Sequence, residues 1–257
     1  MTDVATSALT RAERERFETE GYLFLPGLLT PAETARMIAA VDAIQAAPEA
    51  PGKYMKYYED SLLQPGRRVL NRVENFVPYY ADLADIVNGE AVLGRLSALF
   101  GERAVLFKDK INFKLPGGGA FEPHQDVQAG WDSYAQFYIN ISITVDETSV
   151  ENGCLEIAKW RHRREMIGKM WEPLTEADLA GIRFEPVPTR PGDCIIFDSY
   201  IPHQSAPNLT DTPRRVIYAT YNGISEGDHR EQYYADKRKS FPPDCEREPG
   251  REYKYRV

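Results

Sequence analysis

The sequence predicts an all-β core of the jelly-roll type with flanking helices. After Gly101, short segments rich in Ile, Val, Phe and Tyr recur between turns that contain Gly, Pro, Asn and Asp, as in barrels and sandwiches built from many short strands. Before Gly101 the apolar residues follow mainly helical spacing. Because no linker-like stretch separates these parts, we expect one domain, with a mainly helical part at residues 1–103, the jelly-roll core at 104–222 and a C-terminal extension at 223–257.

Two capping signals predict helices in the first part. Thr10 precedes a charged stretch as an N-cap, and Thr30 is followed by Pro31 at the first helical position and by Glu33, which completes a capping box. The elements expected here are, in chain order, a helix at 11–20, a short strand at 21–26, a helix from 31 to about 46, a loop at 48–66 and an amphipathic helix at 86–100.

The strands of the core are predicted from β-branched and aromatic residues bounded by turn residues. Six segments fit this pattern: 104–115, 135–145, 153–158, 184–187, 193–197 and 216–221. Short strands at such spacing form a jelly roll when they fold into two packed sheets.

Composition and charge exclude several classes of protein. The formal net charge of −8 argues against a nucleic-acid-binding protein, which needs a concentrated positive surface. The apolar runs are too short for a transmembrane helix, and residues 1–16 form no signal-peptide core, so we expect a cytoplasmic enzyme with no membrane partner. The short basic run at 237–239 is interpreted as solvated surface. The cysteines are odd in number and lack metal-ligand spacing, so we expect reduced thiols at Cys154, Cys194 and Cys245.

The candidate metal ligands are His124, Asp126 and His203. On a strand, residues two apart project from the same face, so His124 and Asp126 can reach one ion, and His203 follows a later apolar segment. Two imidazoles and one carboxylate leave three coordination positions open, which is the arrangement of non-heme Fe(II) oxygenases. Spacing alone leaves a purely structural role open for each histidine.

A third element is the pair Arg214 and Arg215 at the start of a predicted strand, eleven and twelve residues after His203. A guanidinium grips a carboxylate through two parallel hydrogen bonds, which suits the distal carboxylate of 2-oxoglutarate while its keto-acid end chelates iron. Because strand side chains alternate, one of the two arginines faces the site and the other faces away. The alternation leaves open which one it is.

The ordered motifs of the chain resemble the phytanoyl-CoA dioxygenase family of Fe(II)/2-oxoglutarate oxygenases. They lie at residues 123–126, 151–155, 191–194, 203 and 213–215, within a matching region of about 107–221. The resemblance implies a double-stranded β-helix core of the cupin kind, with iron on His124, Asp126 and His203 and with Arg214 as the clamp for 2-oxoglutarate. Family members often carry a Pro-Gly-Ser-His run after the segment at 151–155, whereas residues 158–162 of this chain read Ala-Lys-Trp-Arg-His. This departure affects the loop on the substrate side of the site and leaves the metal motif unchanged.

The resemblance also implies the reaction. Enzymes of this family use Fe(II), 2-oxoglutarate and O2 to hydroxylate a C–H bond, while the cofactors supply the oxidising chemistry and the protein orients the substrate. Halogenating relatives carry a small residue in place of the carboxylate ligand, so Asp126 favours hydroxylation.

Lys108, Lys110, Asn112 and Lys114 alternate with apolar residues along one predicted strand and therefore share one face. One interpretation is a solvent-facing polar side above a buried apolar side. The other is that this face lines the barrel mouth, where some of these groups hold 2-oxoglutarate and others an anionic substrate. Lys108 and Asn112 are our candidates for the co-substrate, and Lys110 and Lys114 for the substrate.

The remaining substrate candidates surround the metal motif. Trp131 and Tyr134 could wall the pocket or cover a substrate ammonium by cation–π contact, with core packing as the alternative for Trp131. Gly117–Gly119 precedes the motif as a flexible connection or a phosphate loop. The other candidates are Gln125, Asn140, Arg161, His162 and Arg163, the last three in a basic turn that could bind an anion or be solvated.

These features predict a 2-oxoglutarate-dependent hydroxylase of a small polar substrate, anionic or zwitterionic. Our leading candidate is an aminoalkylphosphonate hydroxylated next to phosphorus, as in some bacterial relatives. Hydroxylation of an amino acid or a compatible solute is the alternative within the same chemistry. A non-catalytic cupin-type barrel that binds a ligand, or a zinc or manganese cupin, would instead need no 2-oxoglutarate.

Overall fold

The computed structural model describes residues 9–159 and 162–253. The helices are α1 (Arg11–Glu20), α2 (Pro31–Ala46), α3 (Ala81–Val87), α4 (Glu90–Phe100) and α5 (Arg230–Ser240). The strands are β1 (Tyr22–Leu25), β2 (Met55–Asp60), β3 (Arg68–Glu74), β4 (Ala104–Lys114), β5 (Phe121–His124), β6 (Ile139–Thr144), β7 (Leu155–Lys159), β8 (Arg183–Val187), β9 (Cys194–Asp198), β10 (His203–Ser205) and β11 (Arg214–Gly223). Among these residues, no helix combines the length and apolar character needed to cross a membrane.

The strands form two antiparallel sheets, which confirms the predicted jelly roll. The large sheet has the order β1-β9-β6-β11-β4-β3-β2, and the small sheet has the order β5-β10-β7-β8. Ile157, Ile195 and Phe197 belong to the apolar layer that joins strands of the two sheets. A larger layer, which includes Met37 and Ile217, joins the large sheet to the helices. Burial of each such side chain contributes roughly 1.5–3 kcal/mol.

The two predicted capping boxes form as expected. The side chains of Thr10 and Thr30 accept hydrogen bonds from the backbone N–H groups of Glu13 and Glu33, and each glutamate accepts one from the cap in return. Helix α1 is capped at its C-terminus by Gly21, whose φ of 79° lies in the left-handed region that glycine adopts without strain.

Two predictions for the first hundred residues are wrong. The expected loop at 48–66 contains β2, which pairs with β3 as a hairpin at the edge of the large sheet. The charged residues of β2 masked its strand pattern. The expected helix at 86–100 is two helices, since α3 ends at Val87 and Gly89 caps α4.

Candidate metal centre

His124 and His203 are cross-strand neighbours in the small sheet. His124 is the last residue of β5, His203 is the first of β10, and the two are directly paired in the antiparallel register. Their ring centroids lie 4.3 Å apart. Residues paired across two strands project from the same face, so strand pairing alone brings these imidazoles together across 79 residues of chain.

Asp126 lies close to both histidines because the backbone of Gln125, between His124 and Asp126, is extended. Gln125 has φ −110° and ψ 135°, so His124 and Asp126 lie on the same side of the chain, although Asp126 opens a 3₁₀ turn and does not lie in a strand as we expected. Its two carboxylate oxygens lie 3.8 Å from Nε2 of His124 and 3.8 Å from Nε2 of His203. One potential ligand atom from each of the three residues lies within 4.8 Å of the others, a spacing that suits a single metal ion.

Backbone carbonyl groups fix the orientation of both imidazoles. Nδ1 of His124 lies 2.7 Å from the carbonyl oxygen of Glu122, and Nδ1 of His203 lies 3.1 Å from that of Ile201. When Nδ1 carries the proton and donates it to the carbonyl, Nε2 keeps its lone pair and points it at the shared centre. This is the tautomer that a metal ligand needs.

The carboxylate of Asp126 is held by a chain of two hydrogen bonds. The side-chain amide of Asn140 donates to Oδ2 of Asp126 at 2.8 Å, and the hydroxyl of Thr220 donates to Oδ1 of Asn140 at 2.6 Å. Asn140 was a substrate candidate in the sequence. The structure instead places it behind the carboxylate, on the buried strand β6.

The environment keeps all three groups in the protonation state of a metal ligand. Burial, together with the neighbouring His203, lowers the pKa of His124 to about 3. Burial also lowers the pKa of His203. Burial opposes ionisation of Asp126, but His203 and Lys110 outweigh it and lower the pKa of this carboxyl. At neutral pH the site therefore offers two neutral imidazoles and one carboxylate.

Arg214 and Arg215 have different surroundings. Arg215 pairs with Asp146 at 2.8 Å and with Asp42 at 2.5 Å, so its charge is used within the fold. Arg214 is 1% exposed, and within the described part of the chain its Nε and Nη1 groups have no hydrogen-bond partner. It lines a small pocket between the sheets with Ser142, Thr144, Thr148 and Thr189. A buried guanidinium with unpaired donors fits a carboxylate ligand.

A large cavity of about 1080 Å³ opens next to the three candidate ligands. Lys108, Lys110, Trp131 and Tyr134 line it, together with His124 and Asp126. The interpretation of the lysine face of β4 as solvent-facing is therefore wrong, because Lys108 is buried and Lys110 faces this cavity. The ammonium of Lys108 lies 5.1 Å from the centroid of a Trp131 ring.

Asn112 and Lys114 lie deeper on the same face of β4 and do not line this cavity. Asn112 is 4% exposed, and its side-chain oxygen lacks a hydrogen-bond donor in the part of the protein described. Lys114 is also fully buried and donates to Ser205 Oγ at 2.6 Å and to the carbonyl oxygen of Ala206 at 2.5 Å. These bonds occupy its side-chain nitrogen, which argues against the predicted contact of Lys114 with the substrate.

Three other candidates do not line the cavity. Gln125 is fully buried, and its side-chain amide bonds to the backbone of Glu165, Tyr200 and Ile167, so it fastens two loops together. Nε2 of His162 lies 3.1 Å from a carboxylate oxygen of Asp198, on the side of the fold near α1. Arg163 is exposed to solvent. Arg161 lies outside the described residues.

The sequence missed cavity residues contributed by β3 and α5. Arg72 lies on β3, and Tyr233, Asp236 and Lys237 lie on α5, in the predicted C-terminal extension. The interpretation of 237–239 as solvated surface is wrong for Lys237, whose ammonium is 2.6 Å from the buried carboxylate of Glu74. The spacing of Tyr233 and Lys237 was a signal in the sequence, because residues four apart on a helix lie on the same face.

Comparisons with known proteins agree with this geometry. The model of the family "Phytanoyl-CoA dioxygenase (PhyH)" matches residues 17–216. The chain is 38% identical over 248 residues to a 2-aminoethylphosphonate dioxygenase of an uncultured bacterium, covering 96% of this chain and 94% of the relative. It is 38% identical over 236 residues to a methylphosphonate hydroxylase of Gimesia maris, covering 91% and 89%.

Solved structures share the fold at lower identity. EctD from S. alaskensis, with 2-oxoglutarate and 5-hydroxyectoine, superposes with a TM-score of 0.71 at 18% identity and covers 85% of this chain and 77% of that one. The epimerase SnoN, in complex with Fe3+, alpha-ketoglutarate and nogalamycin RO, superposes with a TM-score of 0.69 at 20% identity and covers 83% of each chain. At these identities the likeness establishes the shared fold.

Proposed function

This chain belongs to the phytanoyl-CoA dioxygenase family of 2-oxoglutarate-dependent dioxygenases, and we propose that it uses Fe(II), 2-oxoglutarate and O2 to hydroxylate a small phosphonate at the carbon next to phosphorus. The observation that carries the choice of substrate is the position of Lys108 and Lys110. Both line the cavity that His124 and Asp126 also line, so an anionic group can bind beside the metal centre.

We assign Fe(II) to His124, Asp126 and His203. The set offers two imidazole nitrogens and a carboxylate, which suit ferrous iron and leave open positions for other ligands. Among the described residues, this is the one group of three or more His, Cys, Asp or Glu side chains with the spacing of a metal site, and it contains no thiolate that would favour zinc.

We assign the distal carboxylate of 2-oxoglutarate to Arg214. Its unpaired Nε and Nη1 groups would donate to that carboxylate, and the hydroxyls of Thr144 and Thr189 lie in the same pocket. Asn112 on the neighbouring strand and Lys108 at the cavity wall stay candidates for its other end. Together, iron, 2-oxoglutarate and O2 would supply the oxidising chemistry that hydroxylates the C–H bond, with succinate and CO2 as the products of the co-substrate.

The protein itself would bind the phosphonate, orient it and exclude water. Lys108 and Lys110 supply positive charge at the cavity wall, and phosphonate oxygens accept strong hydrogen bonds from ammonium groups. Trp131 and Tyr134 form an aromatic part of the same wall, against which the carbon chain can pack. We also propose that the chain works as one domain, since β1, β2 and β3 belong to the large sheet and α5 contributes to the cavity wall.

The test is a substrate panel with the purified protein, Fe(II), ascorbate, 2-oxoglutarate and air. We expect 2-aminoethylphosphonate or methylphosphonate to stimulate succinate formation and to give a hydroxylated product visible by phosphorus NMR. If only amino acids or compatible solutes stimulated succinate formation, the phosphonate assignment would be refuted, while the assignment as a hydroxylase would stand. Absence of both succinate formation and 2-oxoglutarate binding would favour a non-catalytic barrel.

A further inference from the structure

We propose that the buried Glu74 positions Arg72 and Lys237 at the cavity wall, where these two residues complete a four-cation site with Lys108 and Lys110 for the phosphonate group. This inference rests on the proposed phosphonate substrate. It makes Glu74 a positioning residue and gives the C-terminal helix α5 a direct part in substrate recognition.

Glu74 is the buried centre of this cluster. It is 0% exposed, its Oε1 accepts a hydrogen bond from Nε of Arg72 at 2.7 Å, and its Oε2 lies 2.6 Å from the ammonium of Lys237. A buried carboxylate is costly unless it is paired, and here one carboxylate is paired with two cations from different elements. The pull of Lys237, Lys108 and Arg72 outweighs burial and holds the pKa of Glu74 far below its usual range.

Strand register puts these groups on the lysine face of β4. In the pairing of β3 with β4, Glu74 lies opposite Lys110 and Arg72 lies opposite Asn112. Cross-strand partners project from the same face of a sheet, so the side chains of Arg72 and Glu74 share the face of Lys108 and Lys110. That face lines the cavity.

Helix α5 brings the fourth cation to the same place. Tyr233 marks the meeting point, because the ammonium of Lys108 lies 5.7 Å from its ring centroid and the ammonium of Lys237 lies 5.8 Å from it. Arg72 is fixed in turn by the Tyr57 ring, whose centroid lies 4.4 Å from its guanidinium carbon.

The charges of the cluster favour a dianion. Arg72, Lys108, Lys110 and Lys237 bring four basic side chains to this part of the cavity wall, around the buried carboxylate of Glu74. A phosphonate carries up to two negative charges and three acceptor oxygens, so it can use several donors at once, and a guanidinium and ammonium groups are the side chains that bind such oxygens.

Helix α5 has anchors to the sheet other than Lys237. Arg230 at the start of the helix pairs with the buried Asp109, and the hydroxyl of Tyr234 donates to the carbonyl oxygen of Asp109 at 2.7 Å. These contacts fasten the helix to β4 at Asp109. Docking of the helix therefore has support beyond the pair of Lys237 with Glu74.

The experiment compares Lys237→Met with Lys239→Met, a lysine two residues further along the same helix that is exposed to solvent. Methylphosphonate and inorganic phosphate are titrated anaerobically into the protein loaded with Fe(II) and 2-oxoglutarate, and binding is followed by tryptophan fluorescence and calorimetry. Loss of a charge-assisted contact should weaken binding of both anions about 10- to 100-fold in Lys237→Met. We expect wild-type affinity in Lys239→Met and partial recovery in Lys237→Arg.

The variant Glu74→Gln tests whether Glu74 acts by aligning Arg72 and Lys237 or only through its charge. The substitution raises the positive charge of the wall, so electrostatics alone would tighten anion binding, whereas loss of alignment of Arg72 and Lys237 should weaken it. We expect weaker binding, and tighter binding would overturn the positioning role. Thermal unfolding of each variant reports its folding, and the two Lys237 variants test the site if Glu74→Gln does not fold.

The outcomes also separate this inference from the proposed function. Unchanged anion affinity in Lys237→Met, with methylphosphonate binding intact in the wild type, would overturn the four-cation site alone. If the wild-type protein binds 2-oxoglutarate but neither phosphonate nor phosphate, the phosphonate substrate itself is refuted, and this inference with it. The visible absorption band of the Fe(II)–2-oxoglutarate complex should be the same in all variants.

Discussion

Arg214 and Arg215 are consecutive residues of β11 whose side chains lie on opposite faces of the large sheet. Arg214 lines the small pocket between the sheets with Thr144 and Thr189. Arg215 reaches the helix side, where it pairs with Asp146 and with Asp42 of α2. Arg214 therefore has unpaired donors, whereas Arg215 belongs to a cluster of ion pairs. Substitution of each arginine in turn compares the two roles directly.

Arg214→Ala should raise the concentration of 2-oxoglutarate needed for half-maximal rate about 10- to 100-fold, because it removes a charge-assisted pair and no iron ligand. Arg215→Ala should leave that requirement near the wild-type value and should lower the melting temperature, since it leaves Asp146 without its cation. Succinate formation against 2-oxoglutarate concentration and thermal unfolding measure the two effects. The opposite result would place the clamp on Arg215.

Replacement of His124, Asp126 or His203 by alanine should abolish turnover, because each change removes one of three donors from the site. The direct measurement is iron content per chain after anaerobic loading and desalting. His162→Ala is the control, since that histidine pairs with Asp198 and does not line the cavity. A ligand variant that retained one tightly bound iron and full activity would contradict the assignment.

Asn140→Ala should weaken Fe(II) binding about 10- to 100-fold while the fold persists, because residues that orient a metal ligand act at this scale. The amide of Asn140 holds Oδ2 of Asp126, and without it the carboxylate can rotate away from the two histidines. Thr220→Val, which removes the next hydrogen bond in the chain, should have a smaller effect in the same direction. Competition for Fe(II) with a coloured chelator reports both affinities, and equal affinities for Asn140→Ala and wild type would refute this role.

Lys114 predicts a pH dependence of stability. Burial, together with Arg214, lowers the pKa of this lysine to about 6, whereas the unfolded chain keeps it near the ordinary value of about 10.4. Between these values the unfolded state binds more protons, so the contribution of Lys114 to stability rises with pH and is least favourable below about pH 6. From pH 7 to 9, the unfolding free energy of the wild type should therefore rise relative to Lys114→Met, by at most about 1.4 kcal/mol per pH unit.

Urea unfolding of the two proteins at several pH values measures this difference. Groups other than Lys114 contribute to both curves and cancel in the comparison. A difference that is flat with pH, or that falls as pH rises, would show that Lys114 is charged in the folded protein.

Arg230→Met should destabilise the protein by about 3–5 kcal/mol, because it leaves the fully buried carboxylate of Asp109 without its cation. Burial already raises the pKa of Asp109 even with Arg230 in place. Adding Asp109→Asn should recover part of the loss, since it removes the uncompensated charge. Denaturant unfolding of both single variants and the double variant tests this coupling, and strictly additive effects would contradict it.

Local patterns in the sequence were sufficient for part of the fold and part of the candidate site. Thr10 and Thr30 predicted the starts of their helices, because all the residues of a capping box lie within four positions of the chain. The alternation along β4 and β11 was also visible, because side-chain direction on a strand depends on position in the chain alone. The sequence likewise selected His124, Asp126 and His203, which the structure brings together.

Only the tertiary structure determined which groups contact each face of the strands. Alternation showed that the lysines of β4 share a face, but only the pairing of β3 and β4 and the docking of α5 place part of that face at a cavity beside Glu74 and Lys237. Gln125 and Lys114 were substrate candidates in the sequence, and in the structure they bond to backbone groups of loops that are distant along the chain. Such partners are set by long-range packing, which local sequence patterns do not contain. The sequence therefore named the metal ligands and part of the cavity wall, whereas the contributions of β3 and α5 emerged only from the tertiary structure.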